Sequence, residues 1–247
     1  MSGTDVVTKM CNHLPATMGS IMQRPRVQAT QQNLTWHTLQ PREERWRAIG
    51  QRPVIAWLTG FSGAGKSSIA NAADRALVRS GRYAMVIDGD NLRHGLSSDL
   101  GFSEADRAEN IRRAAETAKL MAEAGLIVIV ALVSPFRQDR AAARCIAGDI
   151  PFLETFIDTP LSVCEARDPK GLYGKARAGV IPNFTGISAP YQVPQAPDVV
   201  LRTQSHSIEQ SATMLVAELL RASQQICIGP EIGIGRAFEG AAHFQAA

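Results

Sequence analysis

At 247 residues, with 45% apolar and 20% charged side chains, the chain suits one α/β domain with appendages and is short for two. A net charge of +3 excludes the strong basic excess of a nucleic-acid or membrane-surface binder and supports only weak attraction for small anions. Cys11, Cys145, Cys164 and Cys227 form no CxxC or Cys/His cluster, so zinc and a disulfide framework are not expected, and reduced thiols in the cytoplasm are.

In chain order, residues 1–32 are polar and aperiodic and read as a disordered tail. Residues 1–22 lack the basic n-region and apolar h-region of a secretory signal, and no apolar run is long enough for a bilayer. A short helical lead-in follows over 33–52, with Trp36 and Trp46 placed to dock on the domain. Strands are expected at 54–59, 82–87, 126–133, 152–157 and 199–201. Helices are expected at 66–79, 103–124 and 207–223, the second opened by Ser103 and Asp106 in capping-box spacing. Ser134-Pro135 and Thr159-Pro160 each predict an N-cap followed by proline at the first helical position. The alternation predicts an α/β fold of the P-loop NTPase type, a parallel sheet with helices on both faces. Residues 168–197 are rich in Gly and Pro without a period and read as a mobile lid. The domain is thus placed at 33–225, with a tail of unknown role at 226–247.

Gly60, Phe61, Ser62, Gly63, Ala64, Gly65, Lys66, Ser67 and Ser68 match GxxxxGK[ST] and lie between a strand and a helix, the context that validates a phosphate loop. Its glycines turn backbone N–H groups toward phosphate oxygens, Lys66 reaches the β- and γ-phosphates, and Ser67 serves Mg²⁺. The next strand ends at Asp88-Gly89-Asp90, where a carboxylate either assists the metal through water or accepts a hydroxyl proton; a solvated turn is the plainer reading. Arg107 and Asn110 are i, i+3 neighbours able to face one ligand, and an arginine fork suits phosphate or sulfate oxygens. Val133-Ser134 ends the third strand, and helix capping alone would account for the serine.

Together, GFSGAGKSS, DGDNLRHGLSSDLGFSEADRAENIRR, SPFRQDRAAAR, RDPKGLYGKARAG and NFTGISAPYQ resemble the adenosine 5′-phosphosulfate (APS) kinase, or adenylylsulfate kinase, family over residues 33–220. The resemblance implies ATP as co-substrate, Mg²⁺ at Ser67 and, through water, at Asp88, and transfer to the APS 3′-hydroxyl with Asp88 as base. It also implies substrate contacts from Asp90, Arg93, Phe102, Arg107, Asn110, Val133, Ser134, Lys170 and Phe184, the two phenylalanines enclosing the adenine. A homodimer and functional association with ATP sulfurylase are further implications. Ser134 matches the serine that the family treats as a phosphoserine intermediate. In-line transfer between two bound nucleotides needs no covalent stop, so a substrate-contacting cap is the expected role. Gly174, Ser188 and Gln192 depart from the family's lid, which carries a basic residue and two acids there. Two rivals are a P-loop kinase for another small acceptor and a non-catalytic nucleotide-binding module. The DGDN segment weighs against the first, and intact Lys66, Ser67 and Asp88 against the second.

Overall fold

Strand β1 (Val54–Thr59) is buried along its whole length, as a central strand covered on both faces must be. The computed structural model describes Thr35, His37 and residues 39–224; the expected tails and the docking of Trp36 lie outside these residues. Helix α1 (Arg42–Ala48) precedes β1, and its Trp46 is buried with the indole N–H donating to the Glu123 carbonyl at 3.2 Å. The remaining elements are α2 (Lys66–Arg79), β2 (Ala84–Asp88), α3 (Gly89–Arg93), α4 (Glu104–Glu123) and β3 (Ile127–Ala131). After these come α5 (Arg137–Ala147), β4 (Phe152–Asp158), α6 (Leu161–Arg167), α7 (Leu172–Arg177), β5 (Val199–Arg202) and α8 (Ile208–Gln224).

All strand pairs are parallel, in the order β2-β3-β1-β4-β5. The twofold alternation along β1 and β3 feeds two cores. Val54, Ala56, Leu58, Ile127 and Ile129 face Ile69 and Leu77 of α2 and Leu215 and Leu219 of α8. Ile55, Trp57, Val128 and Val130 face Ile111, Ala115 and Ala118 of α4 and Ala143 of α5. The doubly covered sheet brings Thr59, Asp88 and Asp158 to one carboxyl edge, where ligands of open α/β sheets collect.

The observed boundaries have physical causes. β2 starts at Ala84 rather than residue 82 because the Arg82 N–H donates to the Leu77 carbonyl, closing α2 around left-handed Gly81. Leu126 is taken the same way by the Met121 carbonyl at the end of α4. Both prolines sit elsewhere than expected. α5 starts at Arg137 with Phe136 as its N-cap, and α6 starts at Leu161 with Pro160 itself as N-cap. The lid has more structure than its composition suggests: it contains α7, and Tyr173, Ala176 and Phe184 join the first core. Cys164 is a buried free thiol.

Candidate active site

Gly60 and Gly63 have φ of 151° and 74°. A Cβ at these positions would stand 2.8 Å from the Ile157 carbonyl oxygen and 3.0 Å from that of Cys164. Only glycine fits this left-handed, crowded path, which wraps the backbone into an anion cradle. Left-handed Gly65 (φ 107°) then opens α2, whose positive N-terminus points into the loop. Lys66 is buried, its ammonium donating to the Gly60 and Phe61 carbonyls at 2.9 and 2.7 Å. Burial pulls its pKa down to about 8, so an arriving polyphosphate meets a cation that has been stripped of water.

The Ser67 hydroxyl donates to Asp88 Oδ2 at 2.6 Å, while Asp88 Oδ1 accepts from the Asp90 N–H at 2.9 Å. Asp88 therefore caps α3 and faces the phosphate loop at once, which decides against a solvated turn. Ser67 and Asp88 supply hard oxygens side by side. That donor set fits Mg²⁺, which uses one or two protein oxygens and completes its shell with waters and phosphates. No group of three or more His, Cys, Asp or Glu fit to hold a metal occurs among the described residues, and a phosphate-bound Mg²⁺ requires none.

Beyond Asp88 lies a cationic, aromatic patch. Phe102 is 60% exposed, with the Arg93 and Arg107 guanidinium carbons 4.2 and 5.7 Å from its ring centroid. Arg93 Nη1 donates to the Leu100 and Gly101 carbonyls. Arg107 donates to the Phe102 carbonyl at 3.0 Å and across to the lid's Asn183 carbonyl at 3.0 Å. Burial lowers the pKa of both arginines, and the Arg93 charge lowers that of Arg107 further: two cations are held close together, as an anion site requires. Asn110 is buried with its Oδ1 making no hydrogen bond among the described residues, a condition that a ligand or water donor relieves. Lys170 of the lid forms an ion pair with Asp90. Phe184 points inward instead: it is 9% exposed and packs edge-on to Tyr173 with centroids 5.0 Å apart.

Ser134 is not a helix cap. It is 2% exposed and left-handed at φ 43°, and its hydroxyl accepts from the Trp57 indole N–H at 3.0 Å. Val133 beside it accepts from the Thr59 hydroxyl at 2.7 Å through its carbonyl.

A family model for adenylylsulphate kinase matches residues 52–202, which contain every residue of this arrangement. The chain belongs to that family. It is 47% identical over 192 residues to an adenylyl-sulfate kinase of Geotalea uraniireducens, covering 77% of this chain and 92% of the relative. It is 52% identical, with a TM-score of 0.67, to the Mycobacterium tuberculosis APS kinase solved with AMPPNP and APS, covering 69% and 99% of the two chains. A hexameric APS kinase from Thiobacillus denitrificans is 28% identical with a TM-score of 0.54, covering 71% of this chain and 30% of that one.

The departures from the adenylylsulfate kinase lid are absorbed locally. Ser188 Oγ accepts from the Phe184 N–H at 2.9 Å and Gln192 Oε1 from the Arg137 N–H at 3.0 Å, bonds that a carboxylate could also accept. The Gly174 N–H donates to Asp168 Oδ2, and a Cβ there would meet nothing nearer than 3.9 Å. Sequence reasoning missed three contributors. Tyr173 donates from its hydroxyl to the Ser62 carbonyl at 2.9 Å, fastening the lid to the phosphate loop. Arg167 donates to Thr203 and, at 3.4 Å, to the Gly63 carbonyl. Arg140 ties Ser134 to the lid's end. All three act on backbone carbonyls or distant segments, and only the RDPKGLY and SPFRQDR runs could have drawn attention to them.

Proposed function

We infer that the chain is an adenylylsulfate kinase that transfers the ATP γ-phosphoryl to the 3′-hydroxyl of APS, giving 3′-phosphoadenylylsulfate and ADP for sulfate assimilation. The observation that carries this reading is the Ser67–Asp88 contact, which joins the phosphate loop to the strand end beside the Arg93–Phe102–Arg107 patch. The cradle at 60–68 binds and orients ATP, and Lys66 neutralises charge as it spreads over the transferred group. Ser67 and Asp88 would hold Mg²⁺, which would supply positive charge to offset that of the phosphates. Asp88, held by the Asp90 N–H and the Ser67 hydroxyl, takes the 3′-hydroxyl proton. Arg107 and Asn110 receive the phosphosulfate, and Phe102 offers a face to the adenine, with Arg93 and Asp90 orienting the acceptor. Lys170 and Phe184 belong to the cover that excludes water and limits ATP hydrolysis. Ser134 shapes the acceptor wall rather than carrying phosphate, since its hydroxyl is buried and already accepts from Trp57.

Residues 33–225 form the catalytic unit in this reading, working in the cytoplasm where ATP is at hand. No helix among the described residues is long and apolar enough to cross a membrane. Resemblance supports a homodimer, and the hexameric relative shows that related kinases self-associate. A coupled assay of APS-dependent ADP release tests the reading, with gluconate, shikimate and AMP as competing acceptors. Turnover that needs APS and disappears in Lys66→Ala supports it. ATP binding without APS-dependent ADP release would identify a regulatory module instead.

A further inference from the structure

Arg140 is 2% exposed and gives each arm of its guanidinium to a different segment. Nε donates to Glu154 Oε1 on β4 at 2.6 Å, Nη1 to the Ser134 carbonyl at 2.7 Å, and Nη2 to the Gln192 carbonyl at the lid's end at 2.8 Å. The same lid end is held from two other sides. The Gln192 N–H donates to the Pro135 carbonyl at 2.8 Å, and the Tyr191 hydroxyl hydrogen-bonds the Thr59 hydroxyl at 2.9 Å, one residue before the phosphate loop. Tyr191 also lies under the Arg140 guanidinium at 5.9 Å and against Phe61 at 4.8 Å. The lid's contacts over the acceptor patch differ in kind. The Lys170–Asp90 pair is exposed on both sides, and the Arg107–Asn183 bond is exposed too. Surface ion pairs of that sort hold weakly.

We propose that Arg140 is a positioning residue for the acceptor: through its two carbonyl bonds it ties the strained Ser134 corner to the C-terminal end of the lid, with Glu154 only balancing its buried charge, so that the lid is held in register over APS. This rests on the kinase reading above. ATP is gripped by the backbone of the phosphate loop, which Arg140 does not touch, so the consequences fall on the acceptor side.

The test compares three variants of the full chain. Arg140→Lys keeps the charge but cannot span three acceptors in one plane. Glu154→Gln removes the balancing charge and leaves both carbonyl bonds. Tyr191→Phe removes only the hydroxyl tie to Thr59, and it carries the test if Arg140→Lys does not fold. The expected result is a KM for APS raised at least about tenfold in Arg140→Lys and about threefold in Tyr191→Phe, with the KM for ATP within about twofold. Glu154→Gln should lower Tm without raising the KM for APS. Equal rises in both KM values, an unchanged KM for APS, or the same rise in Glu154→Gln at matched loss of Tm would each overturn the proposal. Hydrogen exchange needs no substrate and separates the two ideas. Faster exchange of the Gln192 amide in Arg140→Lys supports the lid anchor even if APS is not the acceptor, and unchanged exchange sinks it whatever the turnover.

Discussion

Ser134→Ala separates two roles for the serine because stability and turnover respond to different atoms. The substitution leaves the buried Trp57 indole N–H without its acceptor, 3.0 Å away in the wild type. An unsatisfied buried donor costs about 1–3 kcal/mol, which in a domain of this size lowers Tm by roughly 3–10 °C. The backbone bonds from Arg140 Nη1 and the Thr59 hydroxyl to the Ser134 carbonyl survive. Ser134→Gly loses the same acceptor but relieves the left-handed strain at φ 43°, and should recover about 0.5–1 kcal/mol relative to alanine. Activity measured at 20 °C, below both transitions, decides the chemistry. Loss of one neutral hydrogen bond to substrate reduces kcat/KM by at most about tenfold. Loss of a covalent nucleophile costs on the order of a thousandfold or more. We expect a lower Tm with turnover within tenfold, by differential scanning fluorimetry and the coupled assay. A thousandfold fall at unchanged Tm, or label from γ-³²P-ATP retained on denatured wild-type protein, would refute the reasoning.

Asp88→Asn keeps an oxygen for the Asp90 N–H but turns an amide toward Ser67. Turnover should drop by about 10²–10⁴ with ATP affinity within a few-fold; wild-type turnover in the coupled assay contradicts the assignment. Lys66 binds fewer protons in the folded than in the unfolded chain between about pH 8 and its ordinary 10.5, so its contribution to stability rises with pH across that window. A bound triphosphate restores its charge, and calorimetry at pH 8.5 in buffers of different ionisation enthalpy should show proton uptake on ATP binding that Lys66→Met abolishes. Gln192→Glu places a carboxylate on the Arg137 N–H at the start of α5 and should stabilise by about 0.3–1 kcal/mol, an increase in Tm that shrinks in high salt.

Much of the fold is legible in the sequence where local chemistry and tertiary packing agree. β1 and α2 fall where the apolar run and the glycine loop put them, and Ser103 caps α4 by accepting from the Asp106 N–H. Misplacements occur where two local signals compete. In Ser134-Pro135 the proline suggests a helix start, yet the serine hydroxyl is claimed by Trp57, 77 residues away in sequence, and the helix waits for Arg137. The lid looks aperiodic because α7 has six residues, too few to show a period, and because Tyr173 and Phe184 pack against each other from different local structures. At the site, phosphate-loop chemistry is written in side chains and can be read directly. Arg140 acts mostly on carbonyl oxygens, which carry no residue signature, so its role emerges only in three dimensions.

The phosphate loop also belongs to the late history of the chain. Its path is moulded by the Ile157 and Cys164 carbonyls, and the Ala64 carbonyl accepts from the Thr159 hydroxyl at 3.2 Å. β1 itself is flanked by β3 and β4 rather than by its neighbour in sequence. During synthesis, the GxxxxGKS segment therefore emerges roughly a hundred residues before the walls that give it shape. Nucleotide, which needs those walls for its site, should therefore slow unfolding more than it speeds folding, an outcome that folding and unfolding rates measured with and without ATP would check.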